Sequence, residues 1–210
     1  MPPLTSTEAM VHVAVLRRLL GGASVDPAAL SAATGLTLVR VGGALERLHA
    51  EGTIFLSDGI VIAAYPFSAV PTRHRILCEG TTSYACCAID ALAVSSMMDS
   101  PATVESRCAR CDREVGVRMR GGRVLACHPA VPVVFYVHRD CCEAGPTVLV
   151  RCPHINFFCE SGHADRWLAQ NRRLAGDTLT LDQGVIRARE IFASAISLVQ
   201  GARTGDSSRA

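Results

Sequence analysis

The chain has 210 residues, of which 49% are hydrophobic and 19% charged, with a formal charge of +2. That composition excludes wholesale disorder and allows one substantial domain, or a small domain docked on a larger one. The near-neutral balance gives no electrostatic case for nucleic acid or an anionic membrane as the main partner.

Thr5 and Glu8 form a capping-box pattern ahead of Met10, Val13, Leu16 and Leu20 at helical spacing, with Gly21-Gly22 as the stop. Asp26-Pro27 opens a short helix that ends near Gly35. Thr37 caps a third helix carrying Val39, Val41, Leu45 and Leu48, which stops at Gly52. Two apolar runs joined by Asp58-Gly59 then predict a hairpin. Three helices and a two-stranded wing follow the order of a winged helix. The third helix could read DNA through Arg40 and Arg47, but its few basic residues favour a packing module and make DNA an unexpected partner.

Residues 65–80, with Pro66, Pro71 and Arg73-His74-Arg75, are read as an ordered linker. The stretch from Tyr84 to about Met98 runs without Gly or Pro and predicts a helix, closed by Ser100-Pro101. Strands are expected near Val115–Met119, Arg123–Ala126, Val133–Val137, Thr147–Arg151 and Ile155–Phe158. A helix around Trp167 spans His163 to Leu174, and Thr180 with Gln183 caps a last helix through about Leu198. The expected fold is α+β: an N-terminal winged-helix-like region (1–64), the linker (65–80), a mixed β-sheet core flanked by helices (81–200) and a polar, frayed tail (201–210).

Ten cysteines are many for this length. The start MPPLTSTEAM carries no export signal, so the expected compartment is the reducing cytoplasm, where clustered cysteines indicate metal or thiol chemistry. Prolines 66, 71, 129 and 132 break the longest apolar runs, and no membrane span is expected.

Cys87 and Asp90, three apart on a helix, share a face, and Cys152 precedes a Phe157-Phe158 strand. Two soft thiolates select a thiophilic ion, and a carboxylate inside an apolar helix requires a reason. By spacing alone, two core cysteines and a capping or salt-bridged aspartate are the slightly better account, and the buried carboxylate tips the balance back. A second group, Cys108-x-x-Cys111, looks like half of a zinc knuckle. Asp140-Cys141-Cys142 could close it, with Cys127-His128 also downstream. His74 and His154 are read as core histidines, and Trp167 with Phe157-Phe158 as core aromatics.

Tyr84-Ala85-x-Cys87-Ala88-Ile89-Asp90-Ala91-Leu92, Cys152-x-His154-Ile155-x-Phe157-Phe158 and Trp167 together resemble the organomercurial (alkylmercury) lyases. Tyr65-Pro66-Phe67-Ser68, Pro71-Thr72 and His74 add to the likeness, which runs from about Gly35 to Leu198. The resemblance implies protonolytic cleavage of a carbon–mercury bond to a hydrocarbon and Hg(II), with no cofactor required. It implies Cys87 and Cys152 as mercury-binding thiolates and Asp90 as proton carrier and third mercury contact. Low-molecular-weight thiols and a mercuric reductase are the implied acceptors of Hg(II). The chain departs from the pattern at Cys86, where a bulky residue is common. Cys86 is expected to pack elsewhere, and Cys159 is expected to face away from the site. The rival readings are a thiol-rich protein or chaperone holding Hg, Cu or Zn, and a winged-helix metal-responsive regulator. A structural zinc at Cys108 and Cys111 is a further candidate.

Overall fold

The computed structural model describes residues 4–23 and 25–206. Thr5 and Glu8 exchange side chain–backbone hydrogen bonds at the start of α1 (Ser6–Leu20), which satisfies two amides that the first turn leaves without carbonyl partners. Asp26 caps α2 (Pro27–Thr34) and Thr37 caps α3 (Leu38–Ala50), each through a side-chain oxygen that accepts from the amide three residues on. The hairpin of β1 (Ile54–Ser57) and β2 (Ile60–Ala64) turns at Asp58 and Gly59, both at positive φ, as a two-residue type I′ turn requires. The two arginines of α3 are exposed but bonded to neighbouring residues of the same region. Arg40 donates to Thr7 Oγ1 at 2.7 Å, and Arg47 pairs with buried Glu8 and with Glu51.

The chain continues through β3 (Phe67–Ser68), β4 (Arg75–Cys78), β5 (Thr81–Ala85), α4 (Ala88–Met97), β6 (Ala102–Arg107), β7 (Glu114–Arg120) and β8 (Arg123–His128). Then come β9 (Val133–Val137), α5 (Thr147–Val150), β10 (Asn156–Phe158), α6 (Ser161–Gln170), β11 (Gly176–Thr180) and α7 (Leu181–Asp206). Eight strands form one sheet in the order β1-β2-β3-β5-β4-β6-β7-β8, and three form another in the order β10-β9-β11. The α+β class is as expected, but every strand pairing described is antiparallel, where a mixed sheet was anticipated.

Helix α4 contacts strands of both sheets and packs along α7. All ten of its residues are buried, which suits a helix that is apolar or small all round. The approach of α7 is close: a Cβ at Gly184 would meet Leu92 Cδ1 at 2.8 Å. Among the described residues, no single helix is long and apolar enough to cross a membrane.

Several expectations are corrected. Residues 65–80 supply β3 and β4, so the wing's sheet runs on into the core sheet without a break. Tyr84 and Ala85 belong to β5, and the helix starts only after Cys87. Residues 147–150 are helical (α5) rather than extended. Besides β3 and β4, three further strands (β5, β6 and β11) were not anticipated. The expected last helix is capped at Thr180 by Gln183 and continues past Leu198 to Asp206, into the region read as a frayed tail. Residues 207–210 of that tail lie outside the described part.

Candidate active site

Cys87 is the N-cap of α4. Its backbone is extended (φ −153°, ψ 178°), and its Sγ accepts from the Asp90 amide at 3.4 Å. A sulfur in this position meets the free amides and the positive end of the helix dipole, which favour a thiolate over a thiol when charge develops there. Asp90 stands one turn into the helix on the same side.

Cys152 lies in a 3₁₀ turn, Cys152–His154, just ahead of β10. Pro153 and the Asn156 side chain, which donates to the Pro153 carbonyl at 2.7 Å, order this turn. The Ala88 amide donates to the Ile155 carbonyl at 3.1 Å, so the first turn of α4 is fastened directly to the segment carrying Cys152. Cys152 Sγ is thereby set 3.8 Å from Asp90 Oδ2, although the two residues are 62 apart in sequence. The two sulfurs and a carboxylate oxygen all lie within 4.8 Å of one another, and all three residues are buried.

Burial sets the proton affinities. It raises the Asp90 carboxyl to about 7, against hydrogen bonds from both cysteines, the Cys87 backbone and the charge of Arg151, all of which lower it. The Cys87 thiol is pushed well above its ordinary value by burial, by its hydrogen bond with Cys152 and by the charge on Asp90. For Cys152 the hydrogen bond with Cys87 draws the thiol down, but burial and the charges of Asp90 and Cys86 carry it above the usual range. At neutral pH, before any soft cation arrives, both sulfurs therefore hold protons and Asp90 is poised near half-ionisation.

Aromatic rings pack on the strand that follows the Cys152 turn. Trp167 packs against Phe135 and Phe158 with ring centroids 5.5 Å away in each case. His74 is buried, shares a 2.9 Å hydrogen bond with Ser106 Oγ and meets Phe157 edge-on. Burial, with a contribution from Arg73, lowers its pKa to about 3, so it is a neutral core histidine. His154 is partly buried and lines a separate cleft with Cys141 and Cys142, away from the three-residue cluster. Tyr65 was read only as part of a linker motif. Its hydroxyl accepts from the Val148 amide at 2.8 Å, and burial together with the charges of Cys152 and Cys86 raises its pKa. Cys86, as expected, is committed elsewhere: its thiol donates to the Phe67 carbonyl at 3.2 Å.

A second group of four is assembled by Cys108, Cys111, Cys159 and His163. The expected closure by Asp140-Cys141-Cys142 is therefore corrected. Cys127 Sγ contacts the Ala130 carbonyl instead, and the partners of the Cys-x-x-Cys turn are Cys159 and His163. Cys159 lies outside the triad, as expected, though not through strand parity: β10 ends at Phe158 and the chain turns there into α6. The sequence signal was Cys159-x-x-x-His163, which places a sulfur and an imidazole on consecutive turns at a helix start.

A family model described as alkylmercury lyase (MerB) matches residues 67–193. An alkylmercury lyase of Pseudomonas putida is 30% identical over 160 residues, 76% of this chain and 73% of that protein. One of Staphylococcus epidermidis is 27% identical over 157 residues, 75% of this chain and 70% of its own length. The crystal structure of the mercury-bound form of MerB2 superposes with a TM-score of 0.77 at 25% identity, covering 92% of this chain and 93% of that one. The matched span takes in α4, the Cys152 turn and the strands that hold them in contact. The chain belongs to the alkylmercury lyase family.

Proposed function

We propose that this protein cleaves the carbon–mercury bond of organomercurials by protonation, with Cys87 and Cys152 holding mercury and Asp90 carrying the proton. Family membership supports the reaction class. The observation that supports the residue roles is the buried triad of two sulfurs and one carboxylate oxygen within 4.8 Å, with Asp90 near a pKa of 7.

The substrate arrives as R–Hg(II) bound to a small thiolate. One cysteine thiol displaces that thiolate, which takes up the released proton and departs as a thiol. The second cysteine gives its proton to the Asp90 carboxylate and binds mercury as a thiolate. Protonated Asp90 then delivers the proton to the carbon, which keeps the bonding electron pair and leaves as the hydrocarbon R–H. Mercury remains Hg(II), held by Cys87 and Cys152, and no electrons are exchanged with the protein. Burial serves two steps: it makes Asp90 a usable acid at neutral pH, and it denies water a competing claim on the thiophilic metal. Both thiols being pushed up places their ionisation at the moment mercury binds, when the metal replaces the proton.

The organic cofactors that other lyases use have no step in this sequence. A zinc ion at Cys108 and Cys111 would be structural and outside it. Low-molecular-weight thiols, and a mercuric reductase as final acceptor, would remove Hg(II) from the two sulfurs. The cytoplasm is the compartment that supplies such thiols. In this reading residues 81–200 form the catalytic core, and 1–64 pack against it through the strands of 65–80.

The test is to incubate purified protein with phenylmercury and excess thiol. Catalytic release of benzene is expected. Phenylmercury held intact, with no benzene, would mark a metal sink instead.

A further inference from the structure

The sulfur cluster away from the triad has the geometry of a closed metal site. The turn between β6 and β7 carries Cys108 and Cys111. It closes with the Asp112 amide on the Cys108 carbonyl (2.9 Å) and the Cys108 amide on the Arg113 carbonyl (2.8 Å). Asp112, directly after Cys111, is at φ 59°, and Arg107 stabilises it through both its carbonyl and its carboxylate. That fold-back turns both sulfurs to one side. Facing them, Cys159 ends the β10 limb and His163 lies in the first turn of α6.

The distances can be compared with a tetrahedron. Zinc–sulfur bonds of about 2.3 Å and a zinc–nitrogen bond of about 2.0–2.1 Å give sulfur–sulfur edges of about 3.8 Å and sulfur–nitrogen edges of about 3.5 Å. Cys111 Sγ and Cys159 Sγ are 3.8 Å apart, and Cys108 Sγ and His163 Nδ1 are 3.5 Å apart. The Cys159–His163 edge, at 3.0 Å, is closer to a hydrogen bond, and all four atoms lie within 4.8 Å of one another. The other imidazole nitrogen is also provided for: His163 Nε2 is 3.4 Å from Glu160 Oε1, and Arg166 holds that carboxylate at 3.1 Å. A carboxylate behind a ligating histidine fixes its tautomer and leaves Nδ1 for the metal.

We propose that Cys108, Cys111, Cys159 and His163 bind a structural zinc ion tetrahedrally. Three sulfurs and one nitrogen select zinc over hard cations, and four protein ligands leave no position open for substrate. The ion clasps the β6–β7 turn to the β10–α6 corner. An existing bond already joins these parts, the Ala109 amide to the Phe157 carbonyl at 3.0 Å. Because β10 follows directly on the Cys152 turn, the clasp braces the limb that presents Cys152 to α4 without touching the reacting atoms.

The test is metal content of the full chain, expressed in zinc-containing, mercury-free medium and dialysed. About one zinc per chain is expected. Cys108→Ser and Cys159→Ser should each retain at least tenfold less, whereas Cys87→Ser retains as much as the parent. Cobalt(II) exchanged into the protein should give the visible bands of a tetrahedral ion. His163→Cys should keep those bands while strengthening the thiolate-to-cobalt absorption, a result that a misfolded variant could not give. The proposal is overturned by a zinc-free parent without tetrahedral cobalt bands, or by zinc that disappears with Cys87→Ser and survives Cys108→Ser. A metal-free protein with Cys111 joined to Cys159 by a disulfide would also overturn it.

Discussion

The Ala88 amide donates to the Ile155 carbonyl across 3.1 Å, and this bond couples the helix bearing Cys87 and Asp90 to the turn bearing Cys152. Neither partner carries the chemistry. Their backbones fix the spacing of side chains that do, so the geometry of the triad is set by rigid main chain and not by the side-chain rotamers alone. The same α4 terminus leaves its Asp90 amide to the Cys87 sulfur, and its burial governs the proton affinity of the acid between the thiols.

Asp90→Asn keeps the shape of the side chain and removes the proton. Turnover of phenylmercury should fall by about 10²–10⁴-fold, the usual range for loss of a positioned acid. One equivalent of Hg(II) should still bind, since both sulfurs remain. Steady-state benzene release and equilibrium mercury titration check the two halves separately.

The same substitution should stabilise the protein in a pH-dependent way. The unfolded Asp90 carboxyl ionises near 3.8 and the folded one near 7, so between those values the folded state holds a proton that the unfolded state has lost. The contribution of Asp90 to stability therefore falls as pH rises through that window and levels off above it. Each tenfold difference in proton affinity between the two states corresponds to about 1.4 kcal/mol. Asp90→Asn should therefore gain little at pH 4 and about 2–4 kcal/mol at pH 8. Denaturant titrations across the window measure this, and a gain that shrinks as pH rises would contradict it.

Much of this architecture was legible in the sequence, for identifiable reasons. Caps at Thr5, Asp26, Thr37 and Thr180, and the Asp58-Gly59 turn, are local chemistry that the chain satisfies within a few residues. Cys87 and Asp90 were paired by helical spacing, and the structure does place them on one face, though through an N-cap and not from within the helix. What was not legible is decided over longer range. Strand β4 carries a Pro- and Arg-rich approach that reads as linker, and its place in the sheet depends on β5 and β6 on either side. Residues 147–150 have β-branched composition but form a helical turn, with the Tyr65 hydroxyl satisfying the Val148 amide. Cys159 and His163 join Cys108 and Cys111 only because β10 ends one residue before Cys159.

Cys86→Ala should leave turnover within about threefold of the parent. Its thiol is turned to the Phe67 carbonyl, so the substitution removes one weak hydrogen bond. Its cost in stability should be about 1 kcal/mol. A large loss of benzene release in this variant would place a third sulfur in the mercury site.

His12 lies buried in α1, with neither ring nitrogen hydrogen-bonded among the described residues, and burial lowers its pKa to about 4. The unfolded imidazole gains its proton near 6.5, so the stability associated with a neutral His12 is present above that value and is lost as pH falls towards 4. His12→Leu should therefore be more stable than the parent, with an advantage that grows below pH 6.5 by about 2–3 kcal/mol. Thermal melts at pH 5 and pH 8 compare the two proteins.

The most direct measurement is a single turnover of phenylmercury in D₂O, in the presence of thiol, with the parent, Asp90→Asn and Cys152→Ser. The parent should release one monodeuterated benzene per phenylmercury, while neither variant releases benzene at a comparable rate. Benzene formed equally fast without the Asp90 carboxyl or the Cys152 sulfur would contradict a site in which two sulfurs hold the metal and that acid protonates the carbon.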